Sequence, residues 1–182
     1  MPAFDDLTEH LELPQCECLN ASSDHTLRHA IEASMQNDGS VYLESDADEE
    51  LLITLKFMSE VKVSGIVVGA ADGAESAPKN LRLFVNKVGL DFDSAKSDKA
   101  TEDLVFSKAE VTAGTKKEVR FVNFQRVQQL GIFVSSNQDD EETTKIGKIT
   151  ILGETISHTG LKRSAEEQAS ATKGDWLGKG IA

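Results

Sequence analysis

The sequence predicts an all-β protein, an antiparallel β-sandwich or barrel with one short helix near its N-terminus. Apolar and polar residues alternate in six or more short runs, the pattern of strands with one buried face. Turn-rich stretches separate these runs, and no helical pattern lies between them, as a βαβ fold would need. At 182 residues and 39% hydrophobic composition, we expect one domain with a sizeable core.

The N-terminal residues differ in texture from the rest of the chain. Residues 1–15 mix acids with isolated leucines and are interrupted by Pro14, so we interpret them as an extended or weakly ordered lead-in. Cap-type residues at 22–24 precede three apolar residues at helical spacing, which predicts a helix over roughly 24–34. These apolar residues are Leu27, Ala30 and Ile31.

The strand pattern occupies the middle of the chain and fades after Gly153. We expect a sandwich domain over 16–155 and a tail over 156–182. In this tail, Trp176-Leu177 between two glycines has the form of a short element that orders on binding. The predicted strands are marked by Ile53, Leu55 and Phe57; Val61, Val63 and 66–68; Leu81, Leu83 and Val85; Val119, Phe121, Val122 and Phe124; Leu130, Ile132 and Val134; and Ile149 with Ile151.

The charge is concentrated in the first part of the chain. The net charge is −12, and residues 1–50 hold thirteen acids against the single base Arg28, whereas the remainder is neutral. Nucleic-acid binding is excluded on this ground, because phosphate contacts need clustered lysine and arginine. No apolar run is long enough for a membrane span, and the N-terminus lacks the features of a secretory signal. We therefore expect a cytoplasmic protein, with the nucleus as a second location.

Catalytic and metal-binding signatures are weak. Cys16 and Cys18 form a Cys-x-Cys pair, whose side chains point to opposite sides of an extended chain, so ordinary thiols are favoured over a redox or metal pair. His25 and His29 could share one helix face, but surface histidines are the favoured interpretation. No Gly-x-Ser-x-Gly elbow and no phosphate-binding glycine loop occurs. We predict a non-enzymatic protein without a cofactor or metal.

Two acidic clusters remain as candidate binding elements. The first spans 44–50 and leads into a strand, and the second follows the strand at 130–135. This pattern allows three interpretations. The clusters are solvated loops that discourage edge pairing, or they bind calcium, or they recognise a partner. The candidate partner-binding residues are Asp46, Asp48, Glu49, Glu50, Asn137, Gln138, Asp139, Asp140, Glu141, Glu142 and Thr143.

These stretches resemble the PITH domain family. The resemblance rests on Leu43-Glu44-Ser45-Asp46 with Asp48-Glu49 and Leu51-Leu52-Ile53, on Leu19-Asn20, on Pro78-Lys79 with the strand ending at Asn86, on Asp91-Phe92, and on residues 132–138 followed by Glu141-Glu142-Thr143-Thr144 and Ile146. It covers about residues 15–155. The family is the C-terminal domain of thioredoxin-like proteins that associate with the proteasome.

The resemblance implies a fold and a partner. It implies a galactose-binding-like jelly roll, in agreement with the strands predicted above, and association with the regulatory particle of the 26S proteasome. The chain begins too close to the family signature to hold the N-terminal thioredoxin domain, so we expect no redox activity.

A second hypothesis is a small-ligand or carbohydrate-binding jelly roll with structural calcium, which rests on fold analogy alone. Sugar sites need an exposed aromatic, and Tyr42 and Trp176 are the candidates besides the phenylalanines.

Overall fold

The computed structural model describes residues 4–36 and 40–156, and antiparallel strands dominate these residues. Residues 157–182, including Trp176 and Leu177, lie outside the described part of the chain. The strands are β1 (Asp5–Asp6), β2 (Glu17–Leu19), β3 (Leu43–Glu44), β4 (Leu51–Gly69), β5 (Pro78–Val85), β6 (Glu102–Val105), β7 (Lys117–Glu118), β8 (Val127–Asn137), β9 (Lys145–Ile146) and β10 (Lys148–Thr155). The α-helices are α1 (Leu27–Gln36), α2 (Phe92–Ser97) and α3 (Lys108–Ala113), and single 3-10 turns span Thr8–His10, Leu13–Gln15 and Phe121–Asn123.

Strand β4 belongs to both sheets of the sandwich. Its first half pairs with β8 and β2, and its second half pairs with β10 and β7. The ladder with β8 is interrupted between Lys56 and Val61, where the strand passes from one sheet to the other. The segment that connects β8 to β10 runs between the two ends of β4. Leu51 at the start of β4 pairs with Val134 of β8, and Gly69 at its end pairs with Lys148 of β10. The ladders form one continuous hydrogen-bonded sheet in the order β1-β10-β4-β8-β5-β6, with β2 and β7 also paired to β4, and β3 with β9 forms a separate two-stranded sheet. We call the part with β2, β8, β5 and β6 the larger sheet of the sandwich, and the part with β1, β10 and β7 the smaller sheet.

The main core lies between these sheets, as the alternating pattern predicts. Every second residue at the start of β4 packs into this core, and alternate residues of β5, β8 and β10 do the same. The predicted antiparallel sandwich is confirmed. The core residues of the predicted strands include Ile53, Leu55, Phe57, Val61, Val63, Leu81, Leu83, Leu130, Ile132, Val134, Ile149 and Ile151.

A second apolar cluster covers the outer face of the larger sheet. It joins Leu52, Phe84 and Phe133 to two alanines in and just after helix α2. Arg82 on β5 anchors this helix, because its guanidinium group donates to the carbonyl oxygens of residues 95, 96 and 98. The helix N-terminus is closed by a capping box between Asp91 and Ser94.

Helix α1 covers the part of the β10 edge that the two-residue β1 leaves unpaired. The Ser34 hydroxyl accepts from the Ile149 amide at 3.0 Å and lies 2.8 Å from the Ile149 carbonyl oxygen. The helix therefore satisfies backbone groups that would otherwise be exposed for pairing with another chain. None of the helices within the described residues is long and apolar enough to cross a membrane.

The structure corrects several element predictions. Helix α1 begins at Leu27 and ends at Gln36 rather than spanning 24–34. The sequence predicts one helix only, so α2, which lies in a turn-rich stretch, and α3 are additional. The segment predicted as a strand over 119–124 is a 3-10 turn at Phe121–Asn123, with Val119 and Phe124 buried and Val122 exposed. The two runs at 53–57 and 61–68 form one strand.

The lead-in is more ordered than the sequence indicates. Leu7 is fully buried in the main core, and Asp5 and Asp6 pair with β10. Leu11 forms a bridge with Phe57, so residues 4–15 close one side of the sandwich. Leucines spaced without a helical or strand period carry no pattern from which this packing could be predicted.

Candidate functional site

The two acidic clusters lie side by side. We call the surface formed by residues 44–50 and 137–145 the acidic edge. The Ser45 amide donates to the Thr144 carbonyl oxygen at 3.0 Å, and the Thr144 amide donates to the Ser45 hydroxyl at 2.9 Å. The Thr144 hydroxyl also donates to the Glu49 carbonyl oxygen at 2.6 Å. With the β3–β9 ladder beside them, these bonds hold the two loops as one surface.

Asn20 fixes the first loop of the acidic edge. Its side-chain oxygen accepts from the Ala47 amide at 3.0 Å, and its side-chain NH2 group donates to the Glu50 carbonyl oxygen at 2.7 Å and to the Asp48 carboxylate at 2.8 Å. Its backbone has a φ of 65°, in the left-handed region that asparagine tolerates. The Leu19-Asn20 resemblance therefore marks a residue that shapes this loop.

Asn137 fixes the second loop and is not available to a partner. It is fully buried at the end of β8, where its NH2 group donates to the carbonyl oxygens of Glu141 at 2.8 Å and Thr143 at 3.2 Å, and its oxygen accepts from the Glu141 amide. Gln138 is half-buried and donates to the carbonyl oxygens of Pro78 and Phe106. These two predicted contact residues hold the loop in place from the inside.

The acidic side chains of the edge point to solvent. Two of the predicted contact residues are less accessible than the others. The Thr143 hydroxyl donates to the Glu44 carboxylate at 3.1 Å, and Glu49 is half-buried. Glu50 forms an ion pair with Lys96 of α2 at 2.7 Å. The exposed members are Asp46, Asp48, Asp139, Asp140, Glu141 and Glu142.

A second lysine flanks the other side of this surface. Lys108 at the start of α3 forms an ion pair with Asp139 at 2.5 Å. The hydrogen bonds to Glu50 and Asp139 raise the pKa of Lys96 and Lys108, respectively, because both favour the charged ammonium. Glu50 and Asp139 are thus paired with lysines, and the Asp48 carboxylate accepts from Asn20 and from the Glu50 amide. The exposed carboxylates that face a partner are those of Asp46, Asp140, Glu141 and Glu142.

A third loop, which the sequence did not indicate, adjoins the acidic edge. This loop is the segment between β4 and β5, and it accepts hydrogen bonds from the second acidic loop. The Lys145 amide donates to the Ser76 carbonyl oxygen at 2.8 Å, and the Asp139 amide donates to the Glu75 carbonyl oxygen at 3.1 Å. Asp72 and Glu75 are exposed there. Two separated acids in a turn-rich stretch form no cluster in the sequence, so only the fold reveals their proximity.

The aromatic and histidine candidates are engaged in contacts within the chain. The Tyr42 ring stacks on His25 with centroids 4.1 Å apart, and Phe133 is buried against Phe92 under α2. His25 precedes α1, and the Nδ1 atom of His29 accepts from the Thr26 amide at 3.1 Å, so the two histidines do not share a helix face. These contacts leave Tyr42 a poor platform for a sugar.

The two cysteines are free thiols with raised pKa values. Burial raises the pKa of Cys18 to about 12, with a smaller contribution from the Glu17 carboxylate. Burial also raises the pKa of Cys16, although the Lys56 amide donates to its sulfur at 3.3 Å. Since the thiolate is the reactive species, neither side chain is activated as a nucleophile. Within residues 4–36 and 40–156, no group of three or more His, Cys, Asp or Glu residues is placed to hold a metal ion.

Solved structures with a similar fold include carbohydrate-binding modules. A family 32 module from Clostridium perfringens NanJ, solved with galactose, has a TM-score of 0.60 at 8% sequence identity, and the match covers 82% of this chain and 98% of that one. A family 32 module of a second C. perfringens protein, solved with GalNAc-β-1,3-galactose, has a TM-score of 0.59 at 11% identity over 81% of this chain and 99% of that one. At such identities the likeness shows the galactose-binding-like jelly-roll fold alone.

Comparison with curated proteins connects the sequence to named relatives. The chain is 40% identical over 158 residues to Thioredoxin-like protein 1 of Schizosaccharomyces pombe, a match that covers 84% of this chain and 52% of that protein. It is 32% identical over 172 residues to PITH domain-containing protein 1 of Xenopus laevis, covering 93% and 80%, respectively. The chain thus spans about half the length of the S. pombe protein, and neither name indicates an enzyme family.

A family model confirms the resemblance derived from the sequence motifs. The PITH domain model matches residues 1–170, which includes the lead-in that packs on the sandwich and all three loops around the acidic edge. The fold, the relatives and the family model agree, and the chain belongs to the PITH domain family.

Proposed function

We propose that this chain is a non-enzymatic protein-interaction domain that associates with the regulatory particle of the 26S proteasome through its acidic edge. The observation that supports this proposal is the joining of two acidic loops, far apart in sequence, by inward-facing amide and hydroxyl groups. The carboxylates on the same loops point outward. A surface that is fixed from within is preorganised, which reduces the entropy lost when a partner binds.

The charge of the edge indicates the chemistry of the surface it contacts. Six exposed carboxylates, with Asp72 and Glu75 beside them, present a negative field to a partner. A basic surface would be attracted to it, with association that is fast at low ionic strength and slower as salt screens the charges. The identity of the partner comes from the family resemblance, and the edge supplies the physical basis for the contact.

The non-enzymatic part of the proposal has separate support. The candidate nucleophiles Cys16 and Cys18 are held as neutral thiols, and His25 and His29 are engaged with Tyr42 and the Thr26 amide, respectively. None of these side chains is joined to another in the nucleophile, base and orienting-group arrangement of covalent catalysis. The acidic edge is therefore the surface on which the functional proposal rests.

The test is capture of proteasome from cell lysate with the full chain as bait, measured as peptidase activity on the beads. A variant with Asp139→Asn, Asp140→Asn, Glu141→Gln and Glu142→Gln should bind about 4- to 15-fold more weakly, the loss expected when four charge contacts worth about 0.2–0.4 kcal/mol each are removed.

A matched control removes the same charge elsewhere. Exposed acids at Asp5, Glu9, Glu17 and Glu118 are neutralised in the same way, and this variant should capture as much proteasome as the unchanged chain. Equal loss in both variants would show that net charge rather than the acidic edge is recognised. If the unchanged chain captures no proteasome, the partner assignment itself is wrong.

A further inference from the structure

An apolar groove lies between the 3-10 turn Leu13–Gln15 and helix α1. Its volume is about 420 Å³, within the range of protein sites for small ligands and short side-chain clusters. Leu13 is half-buried and Pro14 exposed, so the groove wall is accessible. The lining residues are Leu13, Pro14, Cys16, Leu27, Arg28 and Ile31.

We propose that this groove receives Trp176-Leu177 from the C-terminal segment of the same chain. Trp176 is the only tryptophan of the protein and the only aromatic residue beyond residue 156. A tryptophan and a leucine supply a large apolar surface, and burying it in an apolar groove is favourable. The proposal does not depend on the function proposed for the acidic edge.

The described chain ends close to this groove. The Ile156 amide donates to the Glu60 carbonyl oxygen at 3.4 Å, and four residues earlier on the same strand the Lys56 amide donates to the sulfur of Cys16 in the groove wall at 3.3 Å. At about 3.3 Å per strand residue, these two points are at most about 13 Å apart. The remaining segment therefore starts at the same end of the sandwich as the groove.

The length of the outlying segment is sufficient to cover this separation. Twenty residues lead from Ile156 to Trp176, and a random-coil linker of that length would have a root-mean-square span of about 25 Å. Because such a span is about twice the distance to be covered, the tryptophan can reach the groove, and its effective concentration there would be in the millimolar range. Even a contact with a Kd of about 1 mM would then be mostly formed at an effective concentration of about 3 mM.

The charges around the groove and around Trp176-Leu177 are complementary in sign. Lys173 and Lys179 flank Trp176-Leu177 in the sequence, while Glu12 and Glu17 flank the groove-lining residues of the turn. Asp175 precedes the tryptophan, and Arg28 is the basic residue of the groove wall. Oppositely charged groups near an apolar contact favour one orientation over others and add little to the affinity.

The single tryptophan gives a direct measurement. Acrylamide quenching of Trp176 fluorescence is compared between the full chain and a synthetic peptide of residues 170–182. With about three quarters of the molecules docked, the quenching constant of the full chain should be about fourfold lower than that of the peptide. Leu13→Glu, and separately the more exposed Pro14→Glu, should raise it to the peptide value. Val88→Glu, which changes a side chain that is 88% exposed, should leave it low.

Three results would overturn the proposal. The first is equal quenching of the full chain and the peptide. The second is protection that persists in both groove variants, each shown to be folded by its thermal transition. The third is protection that disappears on about a hundredfold dilution, since a contact within one chain is independent of concentration. This third result would instead assign the groove to a second copy.

Discussion

At the scale of single residues, side chains within the acidic loop motifs divide into two groups that face opposite ways. Asn20, Asn137 and Thr144 are polar, yet each directs its hydrogen-bonding atoms at backbone groups of the loops. The carboxylates between them face solvent. The sequence alone cannot separate these groups, because an asparagine that contacts a partner and an asparagine that holds a loop are the same residue type in the same motif.

The inward group gives the first prediction. Asn137→Ala should lower the free energy of unfolding by about 1–3 kcal/mol, because it leaves the Glu141 and Thr143 carbonyl oxygens without their buried donor. Urea denaturation measures the difference. Glu142→Ala in the same loop is exposed and should change stability by less than about 0.5 kcal/mol. Equal effects of the two substitutions would contradict the anchoring role of Asn137.

The cysteines give the second prediction. With a pKa of about 12 rather than 9.0, Cys18 holds about a thousandfold less thiolate at pH 8 than an unshifted thiol. The folded chain should therefore react with iodoacetamide far more slowly than the urea-unfolded chain, and the rate should continue to rise above pH 9. Mass spectrometry of timed samples follows the reaction. Rapid alkylation of Cys18 at pH 7 would show that burial does not control its reactivity.

At the scale of elements, predictability depends on length and on which face is buried. The strands at 81–85 and 130–134 were predicted because their alternate residues face one core. Helices α2 and α3 have six residues each, too short for a helical period to appear. Their local signal is the capping box, formed by Asp91 with Ser94 and by Ser107 with Glu110. The segment at 119–124 was predicted wrongly because apolar residues occupy both its buried and its exposed positions.

Helix α1 gives the third prediction, which concerns how an element is attached. Ser34→Ala removes the hydroxyl that meets both the amide and the carbonyl oxygen of Ile149, and stability should fall by about 1–3 kcal/mol. Thermal unfolding of the variant measures the loss. Met35→Ala on the same helix alters a side chain that is 47% exposed and should cost less. A larger loss for Met35→Ala would mean that apolar contacts, not Ser34, attach the helix.

At the scale of the whole molecule, we expect the uneven charge to affect stability. Part of the thirteen acids of residues 1–50 and the second acidic loop lie on one edge, where two lysine ion pairs offset only some of the negative charge. The fold class and the candidate edge could be predicted from the strand pattern and the family motifs. The contacts between distant loops depend on the pairing of β4 with β8, which are far apart in the sequence. No local sequence pattern specifies this pairing.

The fourth prediction follows from this repulsion. Raising sodium chloride from low to physiological ionic strength should increase the melting temperature by about 2–4 °C, which corresponds to about 1 kcal/mol for a domain of this size. The variant with neutral residues at 139–142 should show a smaller increase. Differential scanning fluorimetry is sufficient for the comparison. A melting temperature that falls with salt would show that attractive ion pairs outweigh the repulsion.

The length of strand β4 has a consequence for how this protein unfolds. Because its nineteen residues supply backbone partners to both sheets, release of β4 as a unit removes hydrogen-bond partners from both sheets at once. Amide protons on the two halves of the strand should therefore exchange with solvent water through the same rare event, with equal free energies of opening. A protein made in this way offers proteases and chaperones no intermediate in which one layer is released and the other remains closed.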